Sequence, residues 1–311
     1  MWRYLVPGDI VDIVATTPGI ATVTLERDLQ FLYEFVERLG LKPRLDFEAL
    51  LKGADFFSDK AQSIRQADLR RAILSPESKA IWCIRGGYGT AKLLPELSSI
   101  PMPATPKLLI GYSDINCLHL WVSKFWQWPS LHARVLYEYL DPQESVDIDS
   151  LKDIIFGKSE KVFFSNLIPL NKAAKTNDII DSVITGGTMQ VLQSGIGLDW
   201  QFDAKNKILF LEELFDRGVR LDRTLYQFDQ LGLLKEAKAI LFGDIICGLE
   251  LDGSSNCDLA IQNFARNSDI PMLSIPGIGH GKFNHPLPLN ASSELILGGA
   301  AARLVCSTGG K

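Results

Sequence analysis

The chain has 311 residues, of which 46% are hydrophobic and 22% charged. That is an ordinary globular composition, with length enough for two domains or one large α/β unit and for a sizeable core. Lys and Arg number 32 against 37 Asp and Glu, a net charge of −5; with no basic block, capture of nucleic acid or of an anionic membrane is disfavoured.

Strand-like and helix-like segments alternate through the first half. The opening stretch carries Arg3, Asp9 and Asp12 among its apolar residues, which makes it a poor signal peptide and too short to span a membrane. DIVDIVA (9–15) reads as a short β-branched strand ending at Thr16-Thr17-Pro18-Gly19. Leu25, Leu29, Leu32, Val36 and Leu39 then recur at helical spacing, with Gly40 as a stop. A second helix is predicted over 59–75, and KAIWCI (79–84) is a buried strand that runs into RGGYG (85–89). TAKLLPEL is helical, KLLIG (107–111) a strand, and DINCLHLWVSKF (114–125) a helix. Strands alternating with helices predict a parallel sheet covered on both faces. Ligands of such sheets sit beyond the carboxyl ends of the strands, so the loops of interest are 16–19, 85–89 and 111–114.

Between about 141 and 180 the sequence turns polar and its periodicity weakens. The reading is therefore an α/β N-terminal domain over 1–150, a connection over 151–180, and a C-terminal domain over 181–311. In the second half TGGT (185–188) opens a helix-like stretch and KILFLE (207–212) is a strand. A helix carries Leu221, Leu225 and Phe228, and AKAILFG (237–243) and PMLSI (271–275) are further strands. The loop GIGHGKFNHPLPLN (277–290) follows, and SELILGG and AARLVCS form a closing antiparallel pair. Five scattered cysteines, an odd number without a C-x-x-C pair, argue against a disulfide framework or a zinc site and for a reducing compartment; cytoplasm is the default.

The strongest chemical signal is Gly111-Tyr112-Ser113-Asp114. An apolar strand runs into a Ser where a helix begins, the arrangement of a nucleophile elbow, although Ile115 stands where the full pattern has Gly. The N–H of Asp114 would then face an oxyanion; the plainer alternative makes Ser113 or Asp114 a helix cap. RGGYG is neither a dinucleotide fingerprint nor a P-loop. It offers either a tight turn or a second oxyanion donor from Gly87 or Gly86. A Ser nucleophile needs a base, and the chain has four histidines: His119 in a helix, His132 and His285 in loops, and His280 flanked by two glycines. His280 ranks first and His132 second. Glu212 and Glu213 end an apolar strand, where a carboxylate is poor core material, and either can orient the imidazole.

Together these segments resemble the L,D-carboxypeptidase family of serine peptidases, the group of muramoyl-tetrapeptide carboxypeptidase and microcin C self-immunity peptidase. The likeness rests on PGDIVDIVATTP, AIWCIRGGYG, LLIGYSD, TGGT, ILFLEE with LDRTLYQ, and GHG followed by N and LPL. It covers nearly the whole chain. It implies an α/β N-terminal domain and a smaller β-rich C-terminal domain, with the site in the crevice between them. The nucleophile falls on Ser113, the triad carboxylate on Glu212, the base on His280, and the oxyanion donors on the N–H groups of Gly87 and Asp114. The resemblance implies release of terminal D-Ala from a murein tetrapeptide in peptidoglycan recycling, without metal or organic cofactor, by a cytoplasmic homodimer. A microcin-type peptidase acting on a peptidyl-nucleotide amide is the alternative within the family, disfavoured because 165–180 hold no Trp or Tyr. A non-catalytic peptide binder and a nucleotide-binding α/β protein are the alternatives outside it. Arg85 is a candidate for the substrate carboxylate. Thr188 stands where the family has Asn, and Arg134 lies where it has Pro, so both bear on substrate preference. Arg134 is either a second carboxylate partner or a solvated cation.

Overall fold

The structure, a computed structural model, describes residues 1–18, 25–140, 148–176, 178–298 and 302–310. The chain divides into two units, Met1–Glu160 with Thr308–Lys311, and Lys161–Ser307.

The first unit is built on β1 (Ile10–Val14), β2 (Lys42–Leu45), β3 (Ser78–Cys83), β4 (Leu108–Gly111) and β5 (Ser130–His132). They pair in parallel in the order β5-β4-β3-β1-β2. Register sets Ile13, Trp82, Ile110 and Leu131 in one row across the sheet, and each is buried. The helices are α1 (Leu25–Arg38), α2 (Phe47–Lys52), α3 (Asp59–Leu74), α4 (Leu94–Leu97), α5 (Asn116–Trp126) and α6 (Ile148–Ile155). α1 buries Leu29, Leu32 and Val36, three of the residues whose spacing predicts it. α3 starts where Ser58 accepts a bond from the N–H of Ala61.

Among the buried polar groups of this core is Asp12, whose side chain is fully buried in β1. Arg44 holds both carboxylate oxygens, at 2.6 and 2.8 Å, and Arg71 adds a bond of 2.6 Å. Burial pushes the Asp12 carboxyl up, but these guanidinium bonds outweigh it and leave it below the ordinary carboxylate value.

The second unit is a closed barrel of seven strands. The elements are β6 (Lys161–Pro169), β7 (Ile179–Thr188), α7 (Met189–Ser194), β8 (Ile208–Leu214), α8 (Gly218–Gln230), β9 (Ala239–Ile246), α9 (Cys257–Arg266), β10 (Met272–Ser274), β11 (Leu287–Leu289), β12 (Ser292–Ile296) and β13 (Ala302–Ser307). β7, β8, β9 and β10 form a parallel arc. β6, β13 and β12 close it by antiparallel pairing. Phe164, Ile184, Ile208, Phe210, Leu241, Leu273, Leu295 and Leu304 pack in the same core cluster. The runs ILFL and AILFG are buried at every position, as parallel strands are, whereas β6 shows one wet face. No helix among the described residues is long and apolar enough to cross a membrane.

Two differences between the expectations and the structure bear on the second unit. The stretch 151–180, read as a connection, contains the end of α6, all of β6 and the start of β7, while 141–147 lie outside the described residues. Period-2 alternation is hidden in β6 because Asn166 takes a left-handed φ of 62° and the β6–β13 register shifts between Ala302 and Leu304. The chain also returns at its end to the first unit, where Thr308 donates its N–H to the carbonyl of Glu160.

The second difference concerns the cysteines. Cys247 and Cys257, ten residues apart, are joined by a disulfide, against the expectation of none. The end of β9 and the start of α9 converge on one loop: Phe215 N–H bonds the carbonyl of Ile246 and Gly248 N–H that of Asp216. Tertiary folding, not spacing, brings the pair together. Cys83, Cys117 and Cys306 are buried free thiols.

Candidate active site

Each unit carries one half of the predicted site. In the first, β4 ends at Gly111 and a short 3-10 turn begins at Ser113. Ser113 has φ 64°, a left-handed conformation that costs a non-glycine residue about 1–2 kcal/mol. A half-buried serine in a left-handed turn between a strand and a helix has the form of a nucleophile elbow. Its surroundings hold it in place. Asp114 is not used as a cap for the following helix; its Oδ2 accepts the N–H of Thr90 at 2.8 Å. Burial pushes the Asp114 carboxyl up, opposed by the bonds from Thr90 and Gly89. The Thr90 hydroxyl lies 2.8 Å from that of Thr16, and Thr17 donates to the carbonyl of Gly86 at 2.9 Å. So the three strand-end loops singled out above are tied into one surface, apart from Gly19, which lies outside the described residues. A Cβ on Gly86 would stand 3.0 Å from the Ser113 Cβ and 3.2 Å from its Oγ. Glycine is required there for close approach.

His119 and His132 are both buried in this unit. The His119 ring bridges the Gly111 carbonyl (2.9 Å) and the Ser130 hydroxyl (2.8 Å), and burial lowers its pKa to about 4. It is a neutral brace beneath the elbow. His132 packs edge-on against Tyr112. Arg134 is neither solvated nor open to a ligand: it is 3% exposed and pairs with Glu138 at 3.4 Å, and Glu138 also accepts from the Tyr112 hydroxyl at 2.5 Å. Arg85 follows β3, half-buried, and its charge acts on Tyr137.

In the second unit the carboxyl ends of β7, β8 and β9 carry Thr188, Glu212 and Asp244. Glu212 is completely buried, and its Oε2 lies 2.6 Å from the Nδ1 of His280. A carboxylate can only accept, so Nδ1 carries the proton and Nε2 is the basic nitrogen. Thr188, expected among substrate contacts, donates its hydroxyl to Glu212 Oε1 instead. Gly279, just before His280, has φ 127°, and a Cβ there would fall 2.9 Å from Glu212 Oε2; only glycine lets the loop cross the carboxylate so closely.

Asn284 and Asp244 hold that loop. Asn284 Oδ1 accepts the Gly279 N–H at 3.1 Å. Asp244 Oδ1 accepts that of Gly277 at 2.9 Å, and its own N–H bonds the Ile278 carbonyl. Sequence reasoning missed Asp244, although it ends an apolar strand as Glu212 does. Glu213 faces away from this pair: its Oε2 accepts the N–H of Gln190 at 2.7 Å and its Oε1 that of Leu214 at 2.8 Å. Burial raises its pKa to about 7.

A strained serine elbow on a parallel α/β sheet, and a buried carboxylate–imidazole pair on a barrel, are the parts of a serine hydrolase. Residues 11–133 match the LD-carboxypeptidase N-terminal domain and residues 181–295 the LD-carboxypeptidase C-terminal domain of peptidase family S66. The chain belongs to this family and is a serine-type carboxypeptidase. A Rickettsia conorii protein that bears a carboxypeptidase name is 37% identical over 287 residues, covering 92% of this chain and 87% of that protein. Murein tetrapeptide carboxypeptidase of Pseudomonas aeruginosa is 25% identical over 244 residues, covering 74% and 76%. The fold is shared with the microcin C7 self-immunity protein MccF, with a TM-score of 0.81 at 17% identity and 98% of each chain covered.

Proposed function

We propose that the enzyme is an L,D-carboxypeptidase that releases the terminal D-Ala of a murein tetrapeptide through Ser113, His280 and Glu212. The buried Glu212–His280 pair carries the reading: an imidazole whose Nδ1 is held by a carboxylate presents Nε2 as a general base. Ser113 Oγ attacks the scissile carbonyl as His280 Nε2 takes its proton. The tetrahedral oxyanion is held by the N–H groups of Gly87 and Asp114, each worth roughly 3 kcal/mol in comparable sites. The imidazolium, balanced by Glu212, then protonates the D-Ala amine as it leaves. Water hydrolyses the acyl-Ser113 by the reverse relay. Arg85 is the cation that this reading leaves for the substrate's carboxylate. The murein tetrapeptide is favoured by the likeness to the murein tetrapeptide carboxypeptidase of Pseudomonas aeruginosa. We place the reaction in the cytoplasm, as a step of peptidoglycan recycling carried out by a homodimer; the three buried free thiols accord with a reducing compartment, whereas the Cys247–Cys257 bridge speaks against one.

The test is D-Ala release from purified murein tetrapeptide by the wild-type enzyme and by Ser113→Ala. Release by the wild type, with turnover abolished and thermal unfolding unchanged in the variant, is expected. Near-wild-type turnover by Ser113→Ala would overturn the mechanism. Cleavage of a peptidyl-nucleotide amide in place of the tetrapeptide would overturn the substrate.

A further inference from the structure

We infer that Thr188 is a positioning residue whose hydroxyl sets the orientation of Glu212, and so the tautomer of His280. The inference rests on the reading of Glu212 and His280 as the acid–base pair.

β7 and β8 run parallel with Thr188 directly opposite Glu212. Neighbours in register point to the same face of a sheet, so the hydroxyl and the carboxylate meet without either side chain reaching. Glu212 is fully buried, and a buried carboxylate oxygen without a donor is costly. Its two oxygens are answered separately: Oε2 by His280 Nδ1 and Oε1 by the Thr188 hydroxyl. With both oxygens engaged the carboxylate cannot rotate about its last bond, and Oε2 stays directed at the ring nitrogen.

The use of Thr188 departs from what its position in the chain would suggest. It occupies the cap position of α7, where a Thr side chain ordinarily accepts a backbone N–H of the first turn. Here it makes no such bond. The N–H of Gln190, at the second residue of α7, goes to Glu213 Oε2 instead. The helix end is served by Glu213, and the Thr188 hydroxyl serves Glu212. A substrate contact is not needed to explain this threonine.

Thr188→Val keeps the shape and removes the donor, and Thr188→Ser restores the donor on a smaller side chain. Expected for Thr188→Val is a fall in kcat of about 10- to 100-fold, the range for losing a hydrogen bond to a charged group, with KM for the tetrapeptide little changed. Thr188→Ser recovers most of the rate. In ¹⁵N-resolved NMR of the free enzyme, the share of His280 protonated at Nδ1 falls in Thr188→Val and returns in Thr188→Ser. A rise in KM with kcat and the His280 tautomer as in the wild type would overturn the inference and return Thr188 to the substrate contacts. Equal loss in both variants would also overturn it, since packing rather than the hydroxyl would then be at fault. The NMR signal is independent of turnover. If the wild type does not hydrolyse the tetrapeptide, the Proposed reading fails while the tautomer still decides the role of Thr188.

Discussion

The two half-sites are built from different materials. Around Ser113 the distinctive features belong to the backbone: a left-handed turn and a glycine that admits the serine. Around His280 they are side chains, buried and bonded in sequence from Thr188 to Glu212 to the imidazole. Backbone devices tolerate almost no added volume, because a Cβ has nowhere to go. Side-chain devices depend above all on charge and on each donor being matched, although the second half-site also needs one glycine, Gly279, beside Glu212.

Substitutions that change charge without volume should therefore strike the second half-site hardest. Glu212→Gln keeps the shape but can present an NH₂ to Nδ1, favouring the wrong tautomer. A loss of about 10⁴-fold in kcat is expected, as when a triad carboxylate is made an amide, measured by D-Ala release. A loss under tenfold would remove Glu212 from the relay.

The neighbouring carboxyl predicts a pH effect rather than a catalytic one. Glu213 has its pKa raised from 4.5 to about 7 in the folded protein by burial. The folded state thus binds the proton more tightly, and the stability this contributes is full below about pH 4.5 and lost as pH rises to about 7. The slope amounts to roughly 3 kcal/mol over that window. In urea unfolding at several pH values, Glu213→Gln should lack this slope. A variant with the wild-type slope would refute it.

Volume without charge is the complementary test, and it belongs to the first half-site. Gly86→Ala must move Ser113, whose Cβ is 3.0 Å from the new methyl group. Relief of that contact takes a shift of a few tenths of an ångström, so a fall in rate of about 10-fold is expected, below the ~100-fold cost of a 1 Å misplacement, which steady-state kinetics would show with the unfolding midpoint little changed. Full activity would mean that the loop yields freely.

The smallest effect expected is covalent and confined to the second unit. Cys247→Ser opens a loop closed over ten residues of separation, worth about 2–3 kcal/mol by loop-closure entropy. Limited proteolysis should begin within 247–257 in the variant or in reductant, with the first unit unaffected. Identical cleavage patterns with and without reductant would show that the bridge adds nothing to the loop.

What could be read from the residues follows the same division. Ser113 was legible because an elbow is local: strand, serine and helix start lie within a few positions, and so does the Gly-rich loop. Glu212 and His280 were legible as candidates, a carboxylate ending an apolar strand and a histidine between glycines. Their pairing came only from the family resemblance, since 68 positions separate them and no local pattern links them. β6 was missed because a left-handed Asn166 and a register shift erase its alternation. Neither reading offered for Arg134 holds, because a buried arginine looks like any other until Glu138 is seen beside it.

The sequence by itself determined the alternation of strands and helices, the elbow and the family, because each is written in short-range periodicity or in motifs a few residues long. Tertiary structure alone decided that the second unit closes into a barrel and that Thr188 serves Glu212. It also decided that Glu213 serves a helix and that Cys247 meets Cys257. These follow from which strands become neighbours and in what register, and that is settled by the burial of whole faces rather than by any local run of residues.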